Sequence, residues 1–266
     1  MSTFSLVTAN MEYGNRSRKL IQEKGDILSK CSPDIILIQE SNTELINFDK
    51  YFLVKYDDLC NKEKMDIYIR KDSMWEQSDK NMFNSNLGHT GRPTKIIVLK
   101  NKITKKEIKI SNIHLIGGRF EENDKDGKML IGNLKDIRNR KTEVLKKLIN
   151  SYDIDIVAGD FNSDVKCYLN GGILQEGHLK FLQKVSPNKS YEIYREWNIA
   201  PFNYLDKNNF KIVKKLDLVN TSLFNTHPDS IFYKEKNFEI INHKYIDLIT
   251  DDLSDHNAIY TSFNVL

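Results

Sequence analysis

The chain has 266 residues, 39% of them hydrophobic and 29% charged, with 40 Lys and Arg against 37 Asp and Glu. That balance excludes a disordered chain and leaves ample apolar material for a core. A formal net charge of +3 permits a polyanionic partner but falls well short of the basic signature of a dedicated nucleic-acid binder.

Cys31, Cys60 and Cys167 are widely spaced and form no C-x-x-C pair. This argues against a thiolate zinc site and fits a reducing compartment. No apolar run approaches transmembrane length. The apolar N-terminal run is too short for a signal peptide and has no basic region before it. The expectation is an intracellular protein, cytoplasmic or nuclear, with no membrane span. No linker, repeat or low-complexity tract interrupts the chain, so one domain is expected over residues 1–266.

In chain order, residues 4–9 read as a strand ending at Asn10, and residues 16–31 as a helix with Leu20, Ile21, Ile27, Leu28 and Cys31 near one face. Ser32-Pro33 stops that helix. Residues 34–40 form a continuous apolar run ending in Glu40, the pattern of a strand covered on both faces. Short strands are expected at 51–54, 65–70, 74–77, 95–100 and 107–115, and a polar loop at 117–131. A helix is expected over 133–150, its apolar face made by Leu134, Ile137, Val144, Leu145, Leu148 and Ile149.

The next strand, through Ile156-Val157-Ala158, ends in Gly159-Asp160-Phe161-Asn162. Gly159 permits close backbone approach. Asp160 and Asn162, two apart, point the same way in extended chain. Helices are expected at 178–185 and 190–196, then strands at 230–233, 238–241, 245–249 and 258–263. Helix followed by acid-ended strand occurs twice, at 34–40 and 153–162. The repetition suggests two α/β halves whose sheets pack face to face with their acidic ends at one rim.

Polar groups therefore mark the strand ends: Asn10, Glu40, His114, Asp160 with Asn162, Asp229, and Asp255 with His256. Glu40 and Asp255 are hard oxygen donors suited to Mg²⁺, Mn²⁺ or Ca²⁺. His114 and His256 offer imidazoles for proton transfer or for donation to phosphate oxygens. Each also has an ordinary explanation: Asp160 and Asn162 as turn residues, His114 as a core histidine, Asp229 as a cap after Pro228.

Taken together, Thr8-Ala9-Asn10, Leu37-Ile38-Gln39-Glu40, Asn112-Ile113-His114-Leu115, Gly159-Asp160-Phe161-Asn162, Asp229-Ser230-Ile231-Phe232 and Ser254-Asp255-His256 resemble the endonuclease/exonuclease/phosphatase superfamily, the deoxyribonuclease-I-like fold. The pieces occur in family order across nearly the whole chain. The resemblance implies a four-layer α/β sandwich, two packed, mainly antiparallel sheets flanked by helices. It also implies a divalent-metal phosphoesterase, with Mg²⁺ as the expected ion and Mn²⁺ or Ca²⁺ as alternatives.

By position, the resemblance makes Glu40 the main metal ligand, assisted by Asn10 and Asp255. Asp160 orients or deprotonates the attacking water, Asn162 holds that water and the phosphate, and His256 contacts the phosphate or acts as base while Asp229 orients it. His114 matches the second histidine of the deoxyribonuclease branch, and Glu63 the glutamate that pairs with it. Arg92 and Arg119 are candidate phosphate contacts.

For the substrate, Arg119, Lys125, Lys128, Arg138, Arg140 and Lys141 suggest a basic rim, and Tyr13, Phe120, Phe161 and Trp197 suggest stacking surfaces. The expected function is a nuclease or nucleic-acid end-processing enzyme acting on DNA or RNA, and a monomer. The alternatives are a phosphoesterase for inositol phosphates, lipid headgroups or another small phosphoester, and a relative that binds nucleic acid without catalysis.

Overall fold

The computed structural model describes residues 2–11, 18–41, 49–56, 64–78, 84–85, 94–117, 120–123, 129–131, 134–185, 190–213, 220–223, 226–250 and 252–266. The first half opens with β1 (Ser2–Asn10), α1 (Arg18–Ser29) and β2 (Ile35–Ser41). β1 and β2 pair in parallel, as two strands joined by a crossover helix must. The short strands β3 (Tyr51–Leu53), β4 (Lys64–Arg70), β5 (Trp75–Gln77) and β6 (Asn84–Ser85) lead to β7 (Thr94–Asn101) and β8 (Glu107–His114).

The second half repeats the opening device. After β9 (Phe120–Asn123) and β10 (Met129–Ile131), helix α2 (Leu134–Tyr152) feeds β11 (Ile156–Asp160), which lies parallel to β8. Helices α3 (Val165–Leu169), α4 (Glu176–Val185) and α5 (Tyr191–Lys207) precede β12 (Phe210–Ile212) and β13 (Asp229–Lys234). A 3-10 turn over Glu235–Asn237 joins β13 to β14 (Phe238–Ile246), and β15 (Ala258–Val265) ends the chain.

The strands form a six-stranded sheet in the order β14-β15-β1-β2-β4-β3 and a seven-stranded sheet in the order β12-β13-β11-β8-β7-β5, with β6 also paired to β7. Apart from the β1/β2 and β8/β11 pairs, the ladders are antiparallel.

Period-two alternation divides the apolar strands between layers. Leu6, Leu37 and Ile67 face Ile97, Ile110, Ala158 and Ile231 across the interior between the sheets. The intervening Val7, Ile36 and Ile38 face outward and pack with Ile21 and Leu28 of α1. On the other sheet, Val157 and Phe232 pack with Val144, Leu145 and Leu148 of α2 and Phe202 and Leu205 of α5. The result is helix, sheet, sheet, helix, which explains why β2 and β11 read as apolar runs without alternation. Each such large side chain contributes about 1.5–3 kcal/mol by leaving water.

The sequence reading lacks β6 and β12, and four further features differ from it. Residues 238–249 are expected as two strands, but β14 is one strand carrying an irregularity between Ile240 and Asn242. The loop at 117–131 contains the β9/β10 pair. The short α3, capped by the Asp164 side chain, has too few residues to show a period. Helix α5 runs on to Lys207 through Pro201, because Tyr194, Trp197, Pro201, Phe202 and Leu205 form one continuous buried face that overrides the missing N–H.

The topology gathers chemistry at one edge. β1, β2, β8 and β11 all end there, and the antiparallel β13 and β15 begin there. Among the described residues no helix is long and apolar enough to cross a membrane.

Candidate active site

Register alone brings three site residues side by side: Asp160 is level with His114 on one neighbour and with Asp229 on the other. Gly159 makes this pairing possible. Its φ is +137°, and a Cβ there would sit 2.0 Å from the Ile113 carbonyl oxygen.

Two side chains reach the rim through left-handed backbone, Glu40 at φ 54° and Asn162 at φ 47°. Such residues cost on the order of 1–3 kcal/mol and persist only where the surroundings hold them. At Glu40 the β2/β4 register shifts between Ile38 and Ser41, so the strand leaves its period-two pattern where its acid is needed. At Asn162, the backbone N–H donates to Asp160 Oδ1 (2.6 Å), and the carboxamide Nδ2 donates to the Leu115 carbonyl (2.9 Å) and to Asp160 Oδ2 (3.3 Å).

Around Asp160 the first group closes. Asn10 Nδ2 donates to Asp160 Oδ2 at 3.1 Å and to Glu40 Oε1 at 3.4 Å. His114 Nε2 lies 3.3 Å from Asp160 Oδ2 and 3.6 Å from Glu40 Oε1. The second group is the His256 imidazole, with Nδ1 2.7 Å from Asp229 Oδ2 and Nε2 3.8 Å from Asp255 Oδ1. The two groups are contiguous, since ligand atoms of Asp160, Asp229 and His256 all lie within 4.8 Å of one another.

Burial works against charge here, and the partners decide which charges survive. Desolvation pushes Asp160 up, but its hydrogen bond to His114 and the charges of His114 and His256 outweigh it and hold the carboxyl well below the usual carboxylate range. Burial lowers His256, yet the Asp229 carboxylate, with Asp160 and Asp255, pushes the imidazole up to about 10. Asp229 itself is raised by burial, with the His256 charge pulling the other way.

A polar layer supports the rim from below. Gln39 Nε2 donates to Thr8 Oγ1 (3.0 Å) and Asn112 Oδ1 (2.6 Å), while Asn112 Nδ2 donates to the Ile38 and Asp66 carbonyls. Thr8 and Asn112 stand two residues before Asn10 and His114, so each shares its partner's face. Ser254 Oγ donates to the Asn10 carbonyl (2.9 Å) and accepts from the His256 N–H (3.2 Å), tying the two groups together. Thr221 Oγ1 accepts from the Asp229 N–H (3.3 Å). Thr8, Gln39, Asn112 and Ser254 lie inside the motifs, but only the i−2 spacing on a strand hints at what they support.

Asn10, Glu40, His114, Asp160, Asn162, Asp229, Asp255 and His256 thus meet at one edge. Glu63, Arg92, Arg119, Tyr13, Lys125 and Lys128 lie outside the described residues. Of the basic rim expected from α2, Lys141 is overturned, while Arg138 and Arg140 remain part-exposed and ion-paired. Lys141 is fully buried, Arg138 pairs with Glu196, and Arg140 pairs with Asp136 at 2.7 Å. Neither Phe161 nor Trp197 is exposed for stacking: both are buried in helix-side clusters, because their neighbours on β11 and α5 face the core. One role also narrows. Both Nδ2 hydrogens of Asn162 are already donated, so the atom it has to offer a ligand is the acceptor Oδ1.

The donor set suits a hard divalent cation. Glu40, Asp160, Asp229 and Asp255 bring four carboxylates together, an excess of negative charge that the His256 imidazolium offsets only in part. Asp229 and His256 are engaged with each other through the 2.7 Å bond, while the Glu40 side chain keeps 21% exposure at the more open side.

No protein-family model and no curated protein sequence matches the chain, whereas solved structures do. An endonuclease/exonuclease/phosphatase from Bacteroides vulgatus matches at TM-score 0.64 and 16% identity over 100% of both chains. The human Nocturnin catalytic domain with a bound sulfate anion matches at TM-score 0.63 and 16% identity, over 99% of this chain and 95% of that one. D. rerio TDP2 complexed with a single-strand DNA product matches at TM-score 0.59 and 15% identity over 100% of both chains. The fold is therefore the endonuclease/exonuclease/phosphatase, deoxyribonuclease-I-like sandwich.

Proposed function

We propose that this chain is a divalent-metal-dependent phosphodiesterase that hydrolyses P–O bonds in nucleic acid. The observation that carries the reading is the convergence of the Asp160–Asn162 pair, Glu40, and the buried Asp229–His256 pair at one edge of the two sheets. Glu40, with Asn10 and Asp255, would hold the cation, Mg²⁺ by preference, which when bound neutralises phosphate charge and polarises a water.

The chain's own groups divide the remaining work. Asp160 stays ionised and, with so low an affinity for protons, orients the attacking water by accepting from it. Asn162 Oδ1 accepts the water's other hydrogen, fixing its direction. His256, held as imidazolium by Asp229, donates from Nε2 to a phosphate oxygen and stabilises the charge that develops there. His114 bridges Asp160 and Glu40 and keeps both carboxylates in place. Water adds to phosphorus and the bond to the leaving oxygen breaks; the proton the water gives up passes to solvent, the leaving oxygen takes one from solvent, and a phosphomonoester and an alcohol result.

Nucleic acid is favoured as substrate by the fold shared with a protein solved on a single-strand DNA product, and the +3 net charge permits such a polyanion. Turnover of single-stranded, duplex, abasic and end-blocked oligonucleotides with Mg²⁺ tests the reading. Oligonucleotides left intact while inositol phosphates or phosphocholine lipids turn over would replace it with a small-molecule phosphoesterase.

A further inference from the structure

Among the described residues, the lysines with the least exposure are Lys24 on α1 and Lys141 on α2. An ammonium is placed inside a protein only where its hydrogen bonds are met, because desolvating it is costly. Lys24 Nζ donates to the carbonyl of Met11, the residue after Asn10 (2.8 Å). Lys141 Nζ donates to the carbonyl of Asn162 (2.5 Å) and to Ser163 Oγ (2.8 Å), and lies 4.3 Å from the centroid of the Trp197 ring.

The Lys141 contacts fall on the turn that sets Asn162. That residue sits at φ 47°, its N–H is held by Asp160, and its carbonyl is held by Lys141. Backbone held at both ends fixes where the carboxamide starts. Its tip is then fixed by Leu115 and Asp160, with Gly117 so close that a Cβ there would lie 2.8 Å from Asn162 Oδ1. The ammonium over the Trp197 face adds a cation–π attraction to this arrangement.

We propose that Lys141 is a positioning residue for the reaction: its buried ammonium holds the Asn162–Ser163 turn, and through it the acceptor Oδ1 that directs the attacking water. The inference rests on the phosphoesterase reading above. Lys141 Nζ bonds the Asn162 carbonyl and Ser163 Oγ, so its effect passes through Asn162 and is lost when the Asn162 carboxamide is lost.

The test is a double-mutant cycle of Lys141→Met with Asn162→Ala, read as kcat and KM on bis(p-nitrophenyl) phosphate with Mg²⁺, with Lys24→Met as the control for removing a buried lysine. The expected result is a fall in kcat of about tenfold or more for Lys141→Met with KM nearly unchanged. No further loss is expected when Asn162→Ala is already present, whereas Lys24→Met stays additive with Asn162→Ala. Multiplicative losses from Lys141→Met and Asn162→Ala would overturn the proposal. If Lys141→Met does not fold, Lys141→Arg, which keeps the charge and donors, decides by the same cycle. Amide hydrogen exchange at Asn162 and Ser163 provides a readout independent of activity. A wild type inert toward every phosphoester would sink the phosphoesterase reading, while exchange unchanged by loss of the ammonium would sink the positioning role.

Discussion

His256 Nδ1 and Asp229 Oδ2 lie 2.7 Å apart with both residues buried, and Asp229 is level with Asp160 on the adjacent strand. The pair is therefore built into the sheet itself, with the imidazole oriented by a group that cannot move away. Nδ1 is committed to Asp229, so Nε2 is the nitrogen left to face a ligand.

Replacing Asp229 by Asn removes the charge that holds the imidazolium. In the metal-free protein the His256 pKa should fall from its raised position toward or below the ordinary histidine value, because burial then acts unopposed by its main partner. Imidazole resonances followed through a pH titration give the answer directly. An unchanged titration in Asp229→Asn would mean that Asp229 does not hold the charge.

The same shifts set the pH dependence of stability in the metal-free protein. His256 is raised in the folded state, so its contribution is fully present below about 6.5 and lost as pH rises through about 10. Asp160 is lowered, so its contribution is present above the unfolded carboxylate pKa and lost as pH falls below it. Denaturant midpoints of wild type and His256→Gln should converge as pH rises from 7 past 10. A gap that widens over that interval would reverse the assigned sign.

Glu40→Gln should weaken Mn²⁺ binding at least about tenfold while leaving the thermal midpoint of the metal-free protein nearly unchanged. The carboxylate stands at the more open side of the cluster, with a side-chain exposure of 21%, so the core does not depend on it. Calorimetric titration with Mn²⁺ measures the change, and equal affinity in the variant would remove Glu40 from the ligand set.

Gly159→Ala tests the backbone that aligns Asp160 with His114. A Cβ at φ +137° and 2.0 Å from the Ile113 carbonyl cannot be accommodated without moving β8 or β11. The cost should be about 2–3 kcal/mol or more, a fall in Tm of about 5 °C or more. A variant as stable as wild type would show that the two strands separate there at no cost.

The sheets were legible because β2 and β11 are covered on both faces and so carry apolar runs without alternation, and because α1 and α2 each precede an acid-ended strand. The site acids were legible because they stand where those runs stop. Glu40 and Asn162 reveal their positions in sequence but not their left-handed backbone, which tertiary contacts impose. Lys141 shows the opposite failure. Its neighbours Arg138 and Arg140 are surface residues, and residue type places it among them. Its spacing, four after Ile137 and three and four before Val144 and Leu145, places it on the buried face. Periodicity was the better guide, and the charge is the sign that this face has a second duty.

Metal-assisted hydrolysis of a phosphodiester at the Asp160–Asn162 strand end is tested by the oligonucleotide panel run with Mg²⁺, with and without a chelator, on wild type beside Asp160→Asn. Wild type should cleave at least one oligonucleotide, the chelator should abolish that cleavage, and Asp160→Asn should reduce it by about 10²-fold or more. Cleavage unaffected by the chelator, or equal in Asp160→Asn, would contradict it, as would a wild type that leaves every phosphodiester intact.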